Sequence, residues 1–238
     1  DHNLPLPPQG SAYSINRGLW GITIGGQETL TSENSIPEEA WVLSPNAFSA
    51  PQAPSTHTLE FSKGIPAKLD GKALPPVRLI EELEKLAGSY GIGRGIHLGD
   101  TVLGTKGRVA FEAPAAITLI TAHRELEKLV LSQQQMRVKD IVAHIYGDYV
   151  HEGKQLDLVC ADVEALLASS QRRVTGKVNF TLRPGHLFID GVESDYSLLA
   201  ATKGVYGEAA GEWTPSDALG YARILSLTGT LQTRAGGH

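Results

Sequence analysis

The sequence predicts an α+β fold, an antiparallel sheet with packed helices. Three observations point to it. Two segments, near residues 60 and 180, alternate polar and apolar residues on either side of a tight turn. Between them lie several stretches with apolar residues at helical spacing. The resulting order of strands, helices and strands has no regular βαβ alternation, which disfavours a doubly wound parallel sheet. The 238 residues can bury a sizeable core, and 41% hydrophobic with 20% charged residues is ordinary for a globular chain.

Residues 1–56 are rich in Pro, Ser, Gly and Asn and read as an extended N-terminal arm, with one strand expected around Leu19–Ile24. Residues 57–225 form the expected α+β domain, and 226–238 a C-terminal tail. Within the domain, Thr58–Phe61, the turn Ser62–Gly64 and Ile65–Leu69 make a hairpin. Pro75 and Pro76 precede a helix with Val77, Ile80, Leu83 and Leu86 on one face, ended by Gly88 and Gly91. Residues 91–112 are glycine-rich with short apolar pieces. Pro114 starts a helix whose apolar positions are Ile117, Ile120, Leu126 and Val130. Two further helices carry Val138, Ile141, Val142, Ile145 and Tyr149, then Val159, Val163, Leu166 and Leu167. Val174–Leu182, the turn Arg183–His186 and Leu187–Ile189 complete a second hairpin. No internal repeat is visible.

Composition narrows the function classes. Net charge is −5 and no Lys/Arg run could neutralise a row of phosphates, so nucleic acid is not an expected partner. Cys160, the only cysteine, leaves no intrachain disulfide or multi-thiolate metal site and fits a reducing compartment; it reads as a buried small hydrophobe. Residues 1–8 lack the pattern of a secretory signal, and no apolar run reaches membrane-spanning length. A soluble cytoplasmic protein without a membrane partner is expected. The clusters Thr23–Gln27 and Gly91–Gly99 imitate phosphate loops. The first lacks the Lys-Ser/Thr of a P-loop, and the second follows a helix and opens none, so both are read as turns. The eight histidines show no metal-ligand spacing, and His123 reads as a structural helix residue.

Seven segments together resemble the argininosuccinate synthase family, in the same order and at compatible spacing. Ala12–Gly21 is similar to the family's Y-S-I-D-x-N-L-W-G, and Leu59–Pro66 to I-E-F-x-x-G-V-P. Gly91–Arg94 with Gly104, Lys106, Arg108 and Glu112–Ala115 follows G-V-G-R … G-x-K-S-R-x-x-Y-E-A-P-A. Ile120–Glu127 resembles I-T-A-H-R-x-L-E, Arg173–Val178 resembles R-V-T-G-x-V, Tyr196–Leu199 resembles Y-S-L-Y, and Ser216–Tyr221 resembles S-D-A-x-G-F. The match covers roughly residues 11 to 225 and corresponds to that family's C-terminal synthetase half.

The resemblance implies ATP-dependent ligase chemistry. ATP adenylates the ureido oxygen of citrulline with release of pyrophosphate, and the aspartate amine then displaces AMP. A urea oxygen is a poor leaving group, and adenylation turns it into a good one, so much of the protein's task is positioning. The family's S-G-G-x-D-T-S phosphate loop is not in this sequence. ATP is therefore implied for the complete enzyme but not at a site in this chain, which is expected to need an ATP-binding partner domain or subunit. A homo-oligomer, dimer or tetramer, is also implied, with a reduced contribution from the segment after Tyr221.

For a small amino-acid-like substrate, the resemblance places Ser14 and Thr23 on two serine positions that bind citrulline, the second keeping its hydroxyl. Phe111 occupies a tyrosine position and loses the phenolic oxygen. Gly99 falls on the glutamate of V-E-N-R, where the sequence reads Leu98-Gly99-Asp100-Thr101. A glutamate there would compensate a substrate ammonium, and an uncompensated buried charge costs several kcal/mol. Asp100 could substitute by a small register change. Asn16, Arg17, Gly18 and Gly25 also depart from the family's residues. Lys106 and Arg108 are open to two readings, contacts for an anionic substrate group or ordinarily solvated surface cations. The alternative to a ligase half is a non-catalytic oligomerisation or regulatory module descended from it.

Overall fold

The computed structural model describes residues 12–202 and 213–236. The first eleven residues of the expected arm, including those read for a signal, and the last two of the expected tail lie outside them. The described residues form two compact units, one up to Ser197 and one beginning at Leu198. The mixture of helices and antiparallel sheets is the expected α+β architecture.

The first unit holds two antiparallel sheets. Strands β1 (Ser14–Gly18), β2 (Gly21–Gly25), β6 (Arg94–Asp100) and β7 (Lys106–Glu112) form a four-stranded sheet in the order β1-β2-β7-β6. Strands β3 (Ser55–Ser62), β4 (Ile65–Leu69), β5 (Lys72–Ala73), β8 (Gly176–Arg183) and β9 (His186–Glu193) form a five-stranded one in the order β5-β4-β3-β8-β9. Both expected hairpins are present, as β3/β4 and β8/β9. They are joined by a long ladder from Ser55↔Leu182 to Phe61↔Gly176.

Helices α1 (Pro76–Gly88) and α2 (Pro114–Val130) pack on the five-stranded sheet. Each begins with Pro in its first turn, where the missing N–H removes a donor that would have no intrahelical partner. Leu59, Leu79, Leu83, Leu126, Val178 and Phe180 are fully buried in the resulting core. Burying side chains of this size contributes about 1.5–3 kcal/mol each. On α2, Leu126 and Val130 are buried as expected, together with Ala115, Thr118, Leu119 and Ala122, whereas Ile117 and Ile120 point outward against expectation.

Helices α3 (Gln133–His151) and α4 (Leu158–Gln171) follow. Ser132 and Gln135 form a capping box at the start of α3, and Asp157 accepts the Val159 N–H at the start of α4. Cys160 is buried in α4, as expected, and that burial raises its thiol pKa. In the second unit, α5 (Leu198–Ala201) is one turn. Helix α6 (Pro215–Arg234) opens with a Thr214/Asp217 capping box and runs through the expected boundary at 225. The hydrogen bonds from Thr214 hold the Asp217 carboxyl below its ordinary range.

The expected arm also supplies β1 and β2 to a sheet. A second small core covers that sheet, in which Ile22, Ile24 and Ala110 meet Ile36, Ala40 and Trp41. No described helix is long and apolar enough to cross a membrane.

Candidate functional site

Side chains alternate between the faces of a strand, so register decides which residues share a surface. In the four-stranded sheet, Ser14 pairs with Gly25 and Asn16 with Thr23. Thr23 in turn pairs with Phe111. On the other side of β7, Phe111 pairs with Gly95, Val109 with His97 and Gly107 with Gly99. One face therefore carries Ser14, Asn16, Thr23, Val109, Phe111 and His97, with glycines between them. These positions are exposed or partly exposed. The opposite face carries the buried Ile22, Ile24, Ala110 and Glu112.

Four expected site residues, Ser14, Thr23, Phe111 and Gly99, thus share one open face. At two of the glycines on it, Gly95 and Gly99, a neighbouring ring occupies the space of the missing side chain. A Cβ on Gly95 would lie 2.4 Å from Cζ of Phe111, so the phenyl ring lies across Gly95. A Cβ on Gly99 would lie 2.4 Å from Nε2 of His97, two residues back on the same strand. The imidazole therefore fills the space that a side chain at position 99 would enter.

The other three expected residues lie on the opposite face. Asp100 is one residue beyond Gly99, so the pleat turns it away, and its regular pairing with Lys106 leaves no register shift that would bring it back. Its carboxylate meets Lys106 Nζ at 2.6 Å, with both side chains largely exposed. A pair so solvated contributes little to stability. Arg108 is a structural residue. Its guanidinium donates to the carbonyls of Glu28, Thr31 and Asn34 at 2.7–2.8 Å and anchors the segment after β2.

That opposite face also holds the charged centre of the small core. Glu112 is fully buried and accepts the N–H groups of Val42 and Leu43 at 2.6 and 2.9 Å, with the Ser44 hydroxyl as a further donor. Arg94, across the strand pair from Glu112, donates through both terminal nitrogens to Glu38 at 2.8 Å. Its guanidinium also lies 4.8 Å from the Trp41 ring centre and 4.7 Å from that of Phe48. These contacts hold residues 36–48 over one face and leave the other open.

At the end of the open face, a groove of about 470 Å³ is lined by Asn16, Trp20, Thr23 and Phe111 among others. A second hollow, of about 490 Å³, lies between Trp20, Phe61, Pro66, Leu119, Ile120 and His123. His123 sits in α2, as expected. Burial lowers its pKa, against the raising effect of Glu127 and of a hydrogen bond with Gln171.

Ser55, His57 and Asp70 stand in the order of a catalytic triad, with Ser55 Oγ 2.7 Å from His57 Nε2 and His57 Nδ1 2.8 Å from Asp70. Two of its members are also bonded to other parts of the fold. Ser55 Oγ is also 2.8 Å from the Tyr90 hydroxyl, and Asp70 accepts the Thr58 N–H at 2.8 Å.

Among the described residues, no three His, Cys, Asp or Glu side chains gather as a metal site. The two glycine clusters are the end of β2 with a four-residue 3₁₀ turn, and a turn leading into β6. Neither opens an α-helix whose N–H groups could receive phosphates. His97 was not singled out from the sequence. Its position two residues before Gly99, and so on the same face of a strand, is the signal that would have found it.

The open sheet face thus carries hydroxyl, amide and imidazole groups and is backed by a charged core. Residues 13–232 match the family described as arginosuccinate synthase C-terminal domain. The chain is 40% identical to an argininosuccinate synthase of Xanthomonas campestris pv. campestris over 92% of its length and 55% of that protein's. It is 34% identical to the enzyme of that name from Methanocaldococcus jannaschii, over 83% of this chain and 50% of the relative. The one from Dictyoglomus turgidum is 36% identical over 100% of this chain and 59% of the relative. The chain belongs to the argininosuccinate synthase family and spans about half the length of the curated relatives it matches.

Proposed function

We propose that the chain is the synthetase half of an argininosuccinate-synthase-like, ATP-dependent ligase joining citrulline, or a related ureido or amide compound, to aspartate. The supporting observation is that Ser14, Thr23, Phe111 and Gly99 fall on one open sheet face. That face is half a site, and an ATP-binding domain or subunit would supply the other wall and the phosphate contacts.

In this reading the residues of this chain position rather than react. The hydroxyls of Ser14 and Thr23 can each donate one hydrogen bond and accept others from a polar substrate. Phe111, lying across Gly95, provides an apolar floor beside them. The face offers no activated nucleophile, so its contribution is alignment of the substrate with a phosphate-activating centre held elsewhere. ATP supplies the adenylyl group in the complete enzyme. The cytoplasm is the proposed location, a compartment suited to the buried thiol of Cys160.

The test combines the chain with the separately expressed ATP-binding half of a relative, in the presence of ATP, aspartate and citrulline. Pyrophosphate release that requires both halves and citrulline supports the reading. No release from the mixture, while the relative's two halves mixed together are active, refutes it for citrulline.

A second reading is a non-catalytic oligomerisation or regulatory module. The observation favouring it is the group of exposed apolar side chains on α3 and α6, including Ile141, Ile224 and Leu225. Self-association with a melting temperature unmoved by ATP, citrulline or aspartate is its expected signature.

A further inference from the structure

The charges of the four-stranded sheet are divided between its faces. Asp100, Lys106, Arg108, Arg94 and Glu112 stand on the opposite side, and so by register does Arg17, which lies 3.7 Å from Glu84 and also borders the groove at Asn16, Thr23 and Phe111. By register, His97 is the one side chain on the described strands of the open face that can carry a charge. No carboxylate stands there to receive an ammonium group. An imidazole presents an N–H donor whether neutral or protonated, so it can receive an anion in either state.

Position matters as much as charge. The ring of His97 leans along β6 until Nε2 comes within 2.4 Å of the place a Cβ on Gly99 would take. Glycine at 99 is what admits it. Two strand spacings, roughly 10 Å, separate β6 from β2. Val109 and Phe111 on β7 lie between, and the Thr23 hydroxyl stands on β2. The layout fits a ligand with an acidic end, an apolar or ureido middle and a hydrogen-bonding far end.

We infer that the open face selects its ligand through a carboxylate received by His97 above Gly99, and that it disfavours an ammonium group at that point. The inference rests on the reading of this face as a substrate wall and names the chemical class that wall takes. His97 is the specificity-determining residue, and Gly99 makes room for it.

The experiment uses the whole chain with labelled histidine, the His97 ring signals being assigned by their loss in His97→Gln. Glutarate and pentane-1,5-diammonium are matched in length and opposite in charge, and sodium chloride controls for ionic strength. Saturable movement of the His97 signals with glutarate, and none with the diammonium, is expected. Gly99→Glu pushes the ring aside and sets a carboxylate in its place, which should weaken glutarate about tenfold and admit the diammonium. Circular dichroism establishes that the variant is folded. Response of His97 to the diammonium, to both ions alike, or to neither overturns the inference. Neither ATP nor a partner half is present, so the outcome is separate from that of the pyrophosphate assay. Failure here leaves citrulline ligation standing, and failure there leaves the carboxylate preference standing.

Discussion

Arg94 shows how one side chain can shape a site that it does not enter. Its side chain is 9% exposed and is held by a two-pronged pair with Glu38, a 2.7 Å bond to the Ser44 hydroxyl and two aromatic rings. Lysine carries the same charge but cannot reproduce the planar fork or the stacking. Arg94→Lys should therefore destabilise the protein by about 2 kcal/mol, read as a lower urea midpoint. The Arg94 hydrogen bond also holds the Glu38 carboxyl below its ordinary range, against the opposing effect of desolvation. A carboxyl depressed in the folded state stabilises at pH values above its unfolded pKa, about 4.3. That contribution is lost as pH falls from there through the folded value. Glu38→Gln should accordingly lower the urea midpoint at neutral pH and flatten its fall below about pH 4.5. An unchanged acid limb would show that other carboxylates govern it.

At the scale of elements, α2, α3 and α4 are joined by a buried polar knot. Glu127 on α2 is fully buried and is met by Lys139 Nζ of α3 at 2.7 Å and by Gln171 Nε2 of α4 at 2.6 Å. Removing the cation leaves a buried carboxylate short of its partner. Lys139→Met should cost about 2–3 kcal/mol by denaturant unfolding, and Glu127→Gln combined with Lys139→Met should cost less. His123 belongs to the same knot, with its pKa lowered mainly by burial. Below about pH 6.5 the unfolded chain takes up this proton more readily than the folded one, so stability falls as pH drops through that range. His123→Gln should reduce the slope of stability against pH between about 7 and 5.5, with an unaltered slope counting against the assignment.

The same scale shows how much was legible in advance. The hairpins β3/β4 and β8/β9 follow from period-two alternation, and α1 and α2 from their prolines and apolar spacing. Hairpin β6/β7 was not visible, because Gly95, Gly99 and Gly107 imitate a loop. Two of those glycines serve the strand instead, making room for Phe111 and His97. Helix α2 buries Leu126 and Val130 as expected, but its N-terminal half turns Ala115 and Ala122 inward, where small residues permit close packing, and leaves Ile117 and Ile120 outside, which hydropathy alone would have favoured. Of the residues that the resemblance singled out, Ser14, Thr23, Phe111 and Gly99 share one open face. Only the register of the ladder could reveal that Asp100, Lys106 and Arg108 face the other way, since a one-residue offset reverses a strand side chain.

At the scale of the whole molecule, the question is what covers the apolar surface left outside. Val138, Ile141 and Ile145 recur at three- and four-residue intervals along α3 and stay 47%, 64% and 41% exposed. On α6, Ile224 and Leu225 are 75% and 65% exposed, although the segment after Tyr221 was expected to contribute little to assembly. Dispersed apolar residues need no partner, but rows on helix faces are the usual material of a stable interface. Self-association should therefore give a mass well above 25.4 kDa by light scattering at micromolar concentration. Ile141→Asp and Ile224→Asp test the two helices separately. Each replaces an exposed side chain, so the fold measured by circular dichroism should survive. Whichever helix lies in the interface should give the smaller species, since an unpaired charge buried there costs several kcal/mol. If both variants keep the parent mass, neither face joins the subunits, and if the parent is a monomer, the expectation of a dimer or tetramer fails.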